Sequence, residues 1–276
     1  MNQKQKEFLE DTHDILVGYD GCGTVESLKE LIDEARERIR FAVTINFDSY
    51  PSDTDFNDLC YEMNEEKRRL KMKEWVTSDW HRGHNNICGP EGFVTTRRHF
   101  ASATEMNEVM TKNHIAVVAN DDRTYHLGDM CINMKPQQLH EDLCELNGSF
   151  VFDSGNHDNS RTMKYLAAHN FELPCGRMKY EAFHEVGFKI KANKKVYFLT
   201  HYPLGLGEGR AIYRNLCGHI HDETAREANV LNVGVDSPEL PERPFGTPIL
   251  LEEAFALVDA KWLAWKEKLD RLTTTH

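Results

Sequence analysis

Five short segments carry side chains of the kind that bind divalent cations. In chain order they are Asp79-Trp80-His81, Gly128-Asp129, Gly155-Asn156-His157-Asp158, His201 and Gly218-His219-Ile220-His221. A mixture of carboxylate, imidazole and amide oxygen suits manganese, iron, zinc or nickel rather than calcium, which takes oxygen ligands. A cation held by such a set acts as a Lewis acid and activates water, so the chemistry on offer is metal-assisted hydrolysis. Each group follows directly on a short run with strand character: Asp79 after Trp75–Thr77, Asp129 after Thr124–Leu127, Asn156 after Phe150–Phe152, His201 after Val196–Leu199 and His219 after Asn215–Cys217. In open α/β sheets, ligands bind beyond the carboxyl ends of the strands, and all five segments fall in that one position. Asp79 and His81 are two residues apart, as are His219 and His221. On an extended chain such residues face the same side, so each pair is expected to close on one centre.

Taken singly, each segment has a plainer explanation. A strand ending in Gly-Asp can serve only a tight turn, and Asn and Asp in Gly155-Asn156-His157-Asp158 are ordinary turn residues. His201 before Pro203 could be a hydrogen-bonded histidine, in a chain that has 14 of them. Cys217 reads as a small buried strand residue. No packing requirement produces all five segments in this order, however.

The elements that must position these groups are strands alternating with helices from Glu74 onward, with a further short apolar run at Val230–Val233, which indicates an α/β protein with a layered sheet. The last stretch is helical, with Leu251, Phe255, Val258, Trp262, Trp265, Leu269 and Leu272 on one stripe, expected to pack on the chain's own N-terminal helices rather than in a dimer. The first seventy residues also read as helical. Thr24 is a candidate N-cap for a helix carrying Leu28, Leu31, Ile32, Ala35 and Ile39, and another helix is expected from Asp55. The expected organisation is a helical N-terminal extension over residues 1–72, a catalytic domain over 73–250 and a C-terminal helix over 251–276 packing on that domain. The terminal helical segments are where an oligomer contact would form.

The 276 residues carry 33 basic and 45 acidic groups, for a formal charge of −12. An acidic surface repels polyanions, which disfavours nucleic acid as a partner. Seven cysteines with no C-x-x-C pair argue against a disulfide framework and fit a reducing cytosol, so a cytoplasmic location is expected. No apolar run is long enough to span a bilayer, so no membrane partner is expected.

The ordered series D-x-H, G-D, G-N-H-D, H and G-H-x-H resembles the calcineurin-like metallophosphoesterase superfamily, over roughly Glu74 to Leu250. Ser78-Asp79-Trp80-His81-Arg82-Gly83-His84-Asn85, Tyr125-His126-Leu127-Gly128-Asp129, Thr200-His201-Tyr202-Pro203 and Asn232-Val233-Gly234-Val235-Asp236 are similar to segments of small bacterial and phage phosphoesterases within it. The resemblance implies a layered β-sandwich flanked by helices. It also implies two divalent metal ions, with manganese the first choice and iron, zinc or nickel the others. Asp79, His81, Asp129 and His221 would hold the first ion. Asp129, Asn156, His201 and His219 would hold the second, with Asp129 bridging. Hydroxide generated at the metals would attack phosphorus, and His157 would protonate the leaving oxygen as general acid. Phosphoprotein phosphatases of the superfamily have an Asp three residues after the bridging one, followed by Arg-Gly. Here Ile132, Asn133 and Met134 stand in those places. Asp158 or another group is then expected to orient His157, or His157 is held less strictly, and a phosphoprotein substrate is disfavoured. His84 and Asn85 are candidates for substrate binding, and Arg82, Arg97, Arg98, Arg210 and Arg214 are the arginines that could contact a phosphate. The expected function is a phosphomonoesterase or phosphodiesterase acting on a small phosphorylated substrate of the nucleotide or cyclic-nucleotide type. The alternatives are a nuclease of the same superfamily and a scaffold that keeps the fold without the chemistry.

Overall fold

The computed structural model describes residues 72–207 and 209–274. Apart from Met72, the helical readings made for residues 1–72 lie outside the described residues. Nine strands and four α-helices follow in the order β1 (Glu74–Thr77), α1 (Ala103–Val117), β2 (Arg123–His126), α2 (Pro136–Glu145), β3 (Ser149–Asp153), α3 (Ser160–Ala168), β4 (Tyr180–His184), β5 (Phe188–Ala192), β6 (Lys195–Thr200), β7 (Tyr213–Cys217), β8 (Val230–Asn232), β9 (Ile249–Leu250) and α4 (Leu251–Thr274). They form two sheets, ordered β4-β3-β2-β1-β9 and β5-β6-β7-β8. β1 to β4 run parallel with β9 antiparallel on the edge. β6, β7 and β8 are parallel, and β5 forms an antiparallel hairpin with β6. This is the mixed α/β sandwich, flanked by helices and ending in a C-terminal helix, that the sequence implied.

The two faces of the first sheet read directly from strand alternation. Phe150 and Phe152 of β3 point into a core with Met106 and Met110 of α1, Leu139 and Leu143 of α2, and Leu166 of α3. Val151 lies on the opposite face, with Val76, Tyr125 and Leu127, against Tyr197, Leu199, Leu216 and Leu231 of the second sheet. The helices start where the chain supplies caps. Ser102 accepts from the Glu105 N–H at 3.2 Å while Glu105 accepts from the Ala101 N–H at 2.8 Å. Asn159 accepts from the Thr162 N–H at 2.9 Å, and Pro136 opens α2.

The packing expected between the C-terminal helix and the N-terminal helices lies outside the described residues. Leu251, Phe255 and Val258 do form a buried stripe, joined by Ala254, and they pack into the core between the sheets. Each large side chain so buried contributes about 1.5–3 kcal/mol. Beyond Trp262 the same stripe emerges, with Leu269 and Leu272 at 42% and 60% exposure. Three strands were not foreseen, namely β4, β5 and β9.

The carboxyl ends of the two sheets are tied together. Ser78, just past β1, bridges Gly234, just past β8, and the Val235 N–H donates to Ser78 O at 3.2 Å. The Gly218 N–H donates to His201 O at 3.0 Å, joining the loops after β7 and β6. All five ligand-bearing segments therefore leave their strands towards one region.

Candidate metal centre

The first-sheet half of the site is built by loop-to-loop ladders. The Asp79 N–H donates to Gly128 O at 3.0 Å, the His81 N–H to Asp129 O at 2.9 Å and the Arg82 N–H to Met130 O at 3.0 Å. The backbone there is not extended. Asp79, His81, Asp129, His219 and His221 all have φ between 46° and 71°, the left-handed region that L residues seldom occupy. These five are most of the non-glycine residues with positive φ among the described residues. Strain of this kind persists where the surroundings over-determine it, and it clusters at functional sites.

Three groups of ligand-type atoms result, each with its atoms within 4.8 Å of one another: Asp79, His81 and His221; His81, Asp129 and His157; and Asp129, His201 and His219. Asp79 and His81 thus close on one group, as their spacing predicted. His219 and His221 do not share one. His221 joins Asp79 and His81, while His219 joins Asp129 and His201. All four residues have left-handed φ, so the rule for an extended chain governs neither pair, and only Asp79 and His81 share a group.

Asp129 stands between the groups. Its Oδ2 lies 3.5 Å from His81 Nε2 and 3.4 Å from His201 Nε2. Its Oδ1 accepts from the His157 N–H at 2.8 Å. Gly155 makes this approach feasible, because a Cβ there would lie 2.2 Å from Asp129 Oδ1. Gly218 does the same for Asp79, whose Oδ2 would lie 2.4 Å from an added Cβ.

The donor set fits a cation. His201 Nδ1 lies 2.8 Å from Leu127 O, an acceptor only, so Nδ1 carries the proton and Nε2 presents a lone pair. That lone pair faces Asn156 Oδ1 at 3.0 Å and Asp129 Oδ2 at 3.4 Å. A cation placed there would meet a ring nitrogen, an amide oxygen and a carboxylate oxygen. His81 is 1% exposed, and neither ring nitrogen has a hydrogen-bond partner. Burial holds its pKa far below the usual histidine value, so the ring stays neutral and able to ligate. Asp79 is buried too. Burial raises its pKa, against the opposing charges of His221 and His201, and its two oxygens accept from the His219 N–H at 3.0 Å each.

Behind these residues lies a layer the sequence did not assign. Asp236 is completely buried and accepts from Arg97 Nε at 2.9 Å and Thr96 Oγ1 at 2.6 Å. It also receives the Arg97 terminal nitrogen, and its Oδ2 lies 3.2 Å from His221 Nδ1. Burial would raise the Asp236 carboxyl, but the Arg97 charge together with the hydrogen bonds from His221, Arg97 and Thr96 outweighs it and keeps it well below the usual range. A carboxylate there fixes the proton on His221 Nδ1 and frees Nε2 towards Asp79 and His81. For His221, burial acts downward, but the bond to Asp236 and the charge of Asp79 leave its pKa raised. Arg97 also donates to Trp80 O at 2.9 Å and to Asp79 O, clamping the strained loop. Asp153, at the end of β3, accepts from the His201 N–H at 3.0 Å. A carboxylate at a strand's carboxyl end was the available signal for Asp153. For Asp236 the signal was only its place in Asn232-Val233-Gly234-Val235-Asp236.

Several residues stand elsewhere than expected. Asp158 accepts from the Asp129 N–H at 2.7 Å, the Gly155 N–H at 2.9 Å and the Met130 N–H at 3.0 Å. No hydrogen bond links it to the His157 ring among the described residues, so it anchors the loops rather than orienting that ring. Burial pushes its carboxyl up to about 6, against the pull of those N–H donors. Asn85 Oδ1 accepts from the Ala103 N–H at 3.0 Å and ties down the start of α1. His84 sits at the rim, its ring 5.7 Å from that of His81. Arg97 is buried behind the site rather than facing a phosphate. Arg82 pairs with Asp142 and Arg214 with Asp259, both buried away from solvent, and Arg98 donates to Gly92 O.

No family model matches the chain. An uncharacterized protein of Methanocaldococcus jannaschii is 37% identical over 87 residues, which are 31% of this chain and 47% of that one. The chain therefore spans about half the length of the curated relative it matches. Among solved structures, a protein of unknown function from Aquifex aeolicus aligns over 67% of this chain and 99% of its own, at 19% identity and a TM-score of 0.48. A novel archaeal phosphodiesterase aligns over 60% of this chain and 84% of its own, at 18% identity and a TM-score of 0.34.

Proposed function

We propose that the protein is a two-metal phosphoester hydrolase acting on a small phosphorylated substrate of the nucleotide or cyclic-nucleotide type. The observation that carries this reading is Asp129 Oδ2, which lies between His81 Nε2 and His201 Nε2 at 3.5 and 3.4 Å, with a group of ligand atoms on either side. Asp79, His81, Asp129 and His221 would hold one ion, and Asp129, Asn156, His201 and His219 the other. The ligand types suit manganese first, then iron, zinc or nickel. When bound, the two cations neutralise phosphoryl charge and lower the pKa of water at the site towards ~7.

The rest is the work of the chain. Asp129 turns its Oδ2 to both sides of the site, while its Oδ1 accepts from the His157 N–H. The Leu127 carbonyl and Asp236 hold the His201 and His221 rings in the ligating tautomer. His157 is exposed, with its ring 5.3 Å from that of His81 and its backbone N–H fixed to Asp129, and it gives its proton to the departing oxygen. Residues 73–250 carry all these groups and form the catalytic domain. A cytoplasmic setting accompanies the proposal. The five cysteines among the described residues are free thiols, and no described helix is long and apolar enough to cross a membrane.

Metal analysis combined with turnover of an aryl phosphate monoester and diester tests the reading. The wild-type protein should bind two equivalents of manganese and hydrolyse at least one ester. Asp129→Ala should lose metal at both positions together with activity. Two-metal occupancy in Asp129→Ala contradicts the bridging role, and absence of turnover by the loaded wild type contradicts the function.

A further inference from the structure

Two large rings stand exposed beside the candidate centre. Tyr202, 48% exposed, packs against His201 and His219 at 5.0 and 4.7 Å between ring centroids. Phe93, 59% exposed, lies on the other side, 5.7 Å from the His84 ring and 6.2 Å from the His221 ring. A single exposed phenylalanine is ordinary. This one is held in place. Two residues on, Thr95 donates to Asp222 Oδ2 through both its N–H, at 3.2 Å, and its hydroxyl, at 2.6 Å. Asp222 directly follows His221, so the loop bearing Phe93 is pinned to the loop bearing a candidate ligand.

The geometry also distinguishes the two rings. His157, the proton donor to the departing oxygen in the proposed reaction, shares its group of ligand atoms with His81 and Asp129, not with His219. His84 stands on that same side, 5.7 Å from His81. A leaving group protonated by His157 therefore departs past His81 and His84 towards Phe93, and away from Tyr202.

We infer that Phe93, backed by His84, is a specificity-determining wall on which the leaving group's planar ring stacks. The substrates selected are phosphoesters whose leaving group carries an aromatic or heteroaromatic ring. This rests on the hydrolase reading above and adds to it the side of the site that reads the leaving group. Face or edge contact between aromatic rings is worth about two- to twelvefold in affinity beyond simple burial.

The test uses inert probes, so it does not depend on turnover. Binding of phenylphosphonate and methylphosphonate to the manganese-loaded full-length protein is measured by calorimetry. Wild type should prefer the phenyl compound by about two- to twelvefold beyond the effect of its added area. Phe93→Ala should lose that preference while binding methylphosphonate and manganese as wild type does, and Phe93→Trp should keep it. Equal binding of both probes by wild type, or a preference that survives Phe93→Ala or disappears instead in Tyr202→Ala, overturns the wall and leaves the hydrolase reading standing. If neither phosphonate binds to the loaded wild type, the anion site itself is absent and both inferences fall.

Discussion

Replacing Asp236 by asparagine preserves the side chain's shape and removes its charge. In the native protein this carboxylate faces a guanidinium with no exposed surface, and neither partner reaches water. Breaking such a pair from one side leaves an uncompensated buried charge and costs about 3–5 kcal/mol. Arg97 keeps its bonds to Trp80 O and Asp79 O, which hold the ion in place and prevent it from swinging out to solvent. For a domain of this size each kcal/mol lowers the melting temperature by roughly 2–4 °C, so Asp236→Asn should melt roughly 6–20 °C below wild type. The asparagine also cannot serve Arg97 and His221 Nδ1 equally well. Loss of an outer partner of a ligating histidine weakens metal binding by about tenfold to a hundredfold. Thermal unfolding of the metal-free protein and calorimetric titration with manganese read the two effects separately. A variant that melts within roughly 2–4 °C of wild type and binds manganese equally well would refute the assignment of Asp236 as the charge that holds both Arg97 and His221.

Other expectations are tested more simply. His157→Ala should retain both metals while turnover of an ester with a poor leaving group falls about 10²- to 10⁴-fold, and an unchanged rate removes His157 as the acid. Gly218→Ala would bring a Cβ to 2.0 Å from Ser78 Oγ and 2.4 Å from Asp79 Oδ2, so it should displace Asp79 and weaken metal binding; an unaltered manganese titration contradicts this. His114 is buried against Phe150 and bonded to Asn147 O, and burial lowers its pKa to about 3. Between that value and the usual 6.5 only the unfolded chain takes up the proton, so acid destabilises the fold by up to about 1.4 kcal/mol per pH unit. Urea unfolding of the metal-free protein from pH 7.5 to 5 should show this slope and a shallower one in His114→Leu; parallel slopes would exclude His114 as a source.

The ligand-bearing strands were legible because each is a short apolar run that stops at a residue with no reason to sit in a core. β1, β2, β3, β6 and β7 all fit that description. β5 carried a signal that went unread, since Phe188, Ile190 and Ala192 alternate with Lys189 and Lys191 in a half-buried pattern. β9 has two residues and exists only because β1 offers it an edge, so no local pattern marks it. Most of the site's candidate ligands could be named from residue type and order, but not the charge layer behind them. Arg97 and Asp236 are 139 residues apart in sequence, and an arginine in a loop looks the same on paper whether it faces solvent or is sealed inside. The division of His219 and His221 between two groups was likewise invisible to spacing, because all four residues of the two pairs sit in left-handed backbone that no residue type advertises, and the extended-chain rule does not reach them.

That backbone has a consequence for how the molecule can change. Five candidate ligands hold a conformation that disfavours any residue with a Cβ, by about 1–2 kcal/mol each. Glycine would relax every one of them and abolish ligation. Durability and competence are therefore opposed at the same five positions. Selection for heat tolerance alone, with no demand on activity, should erode this centre before it touches the sandwich beneath.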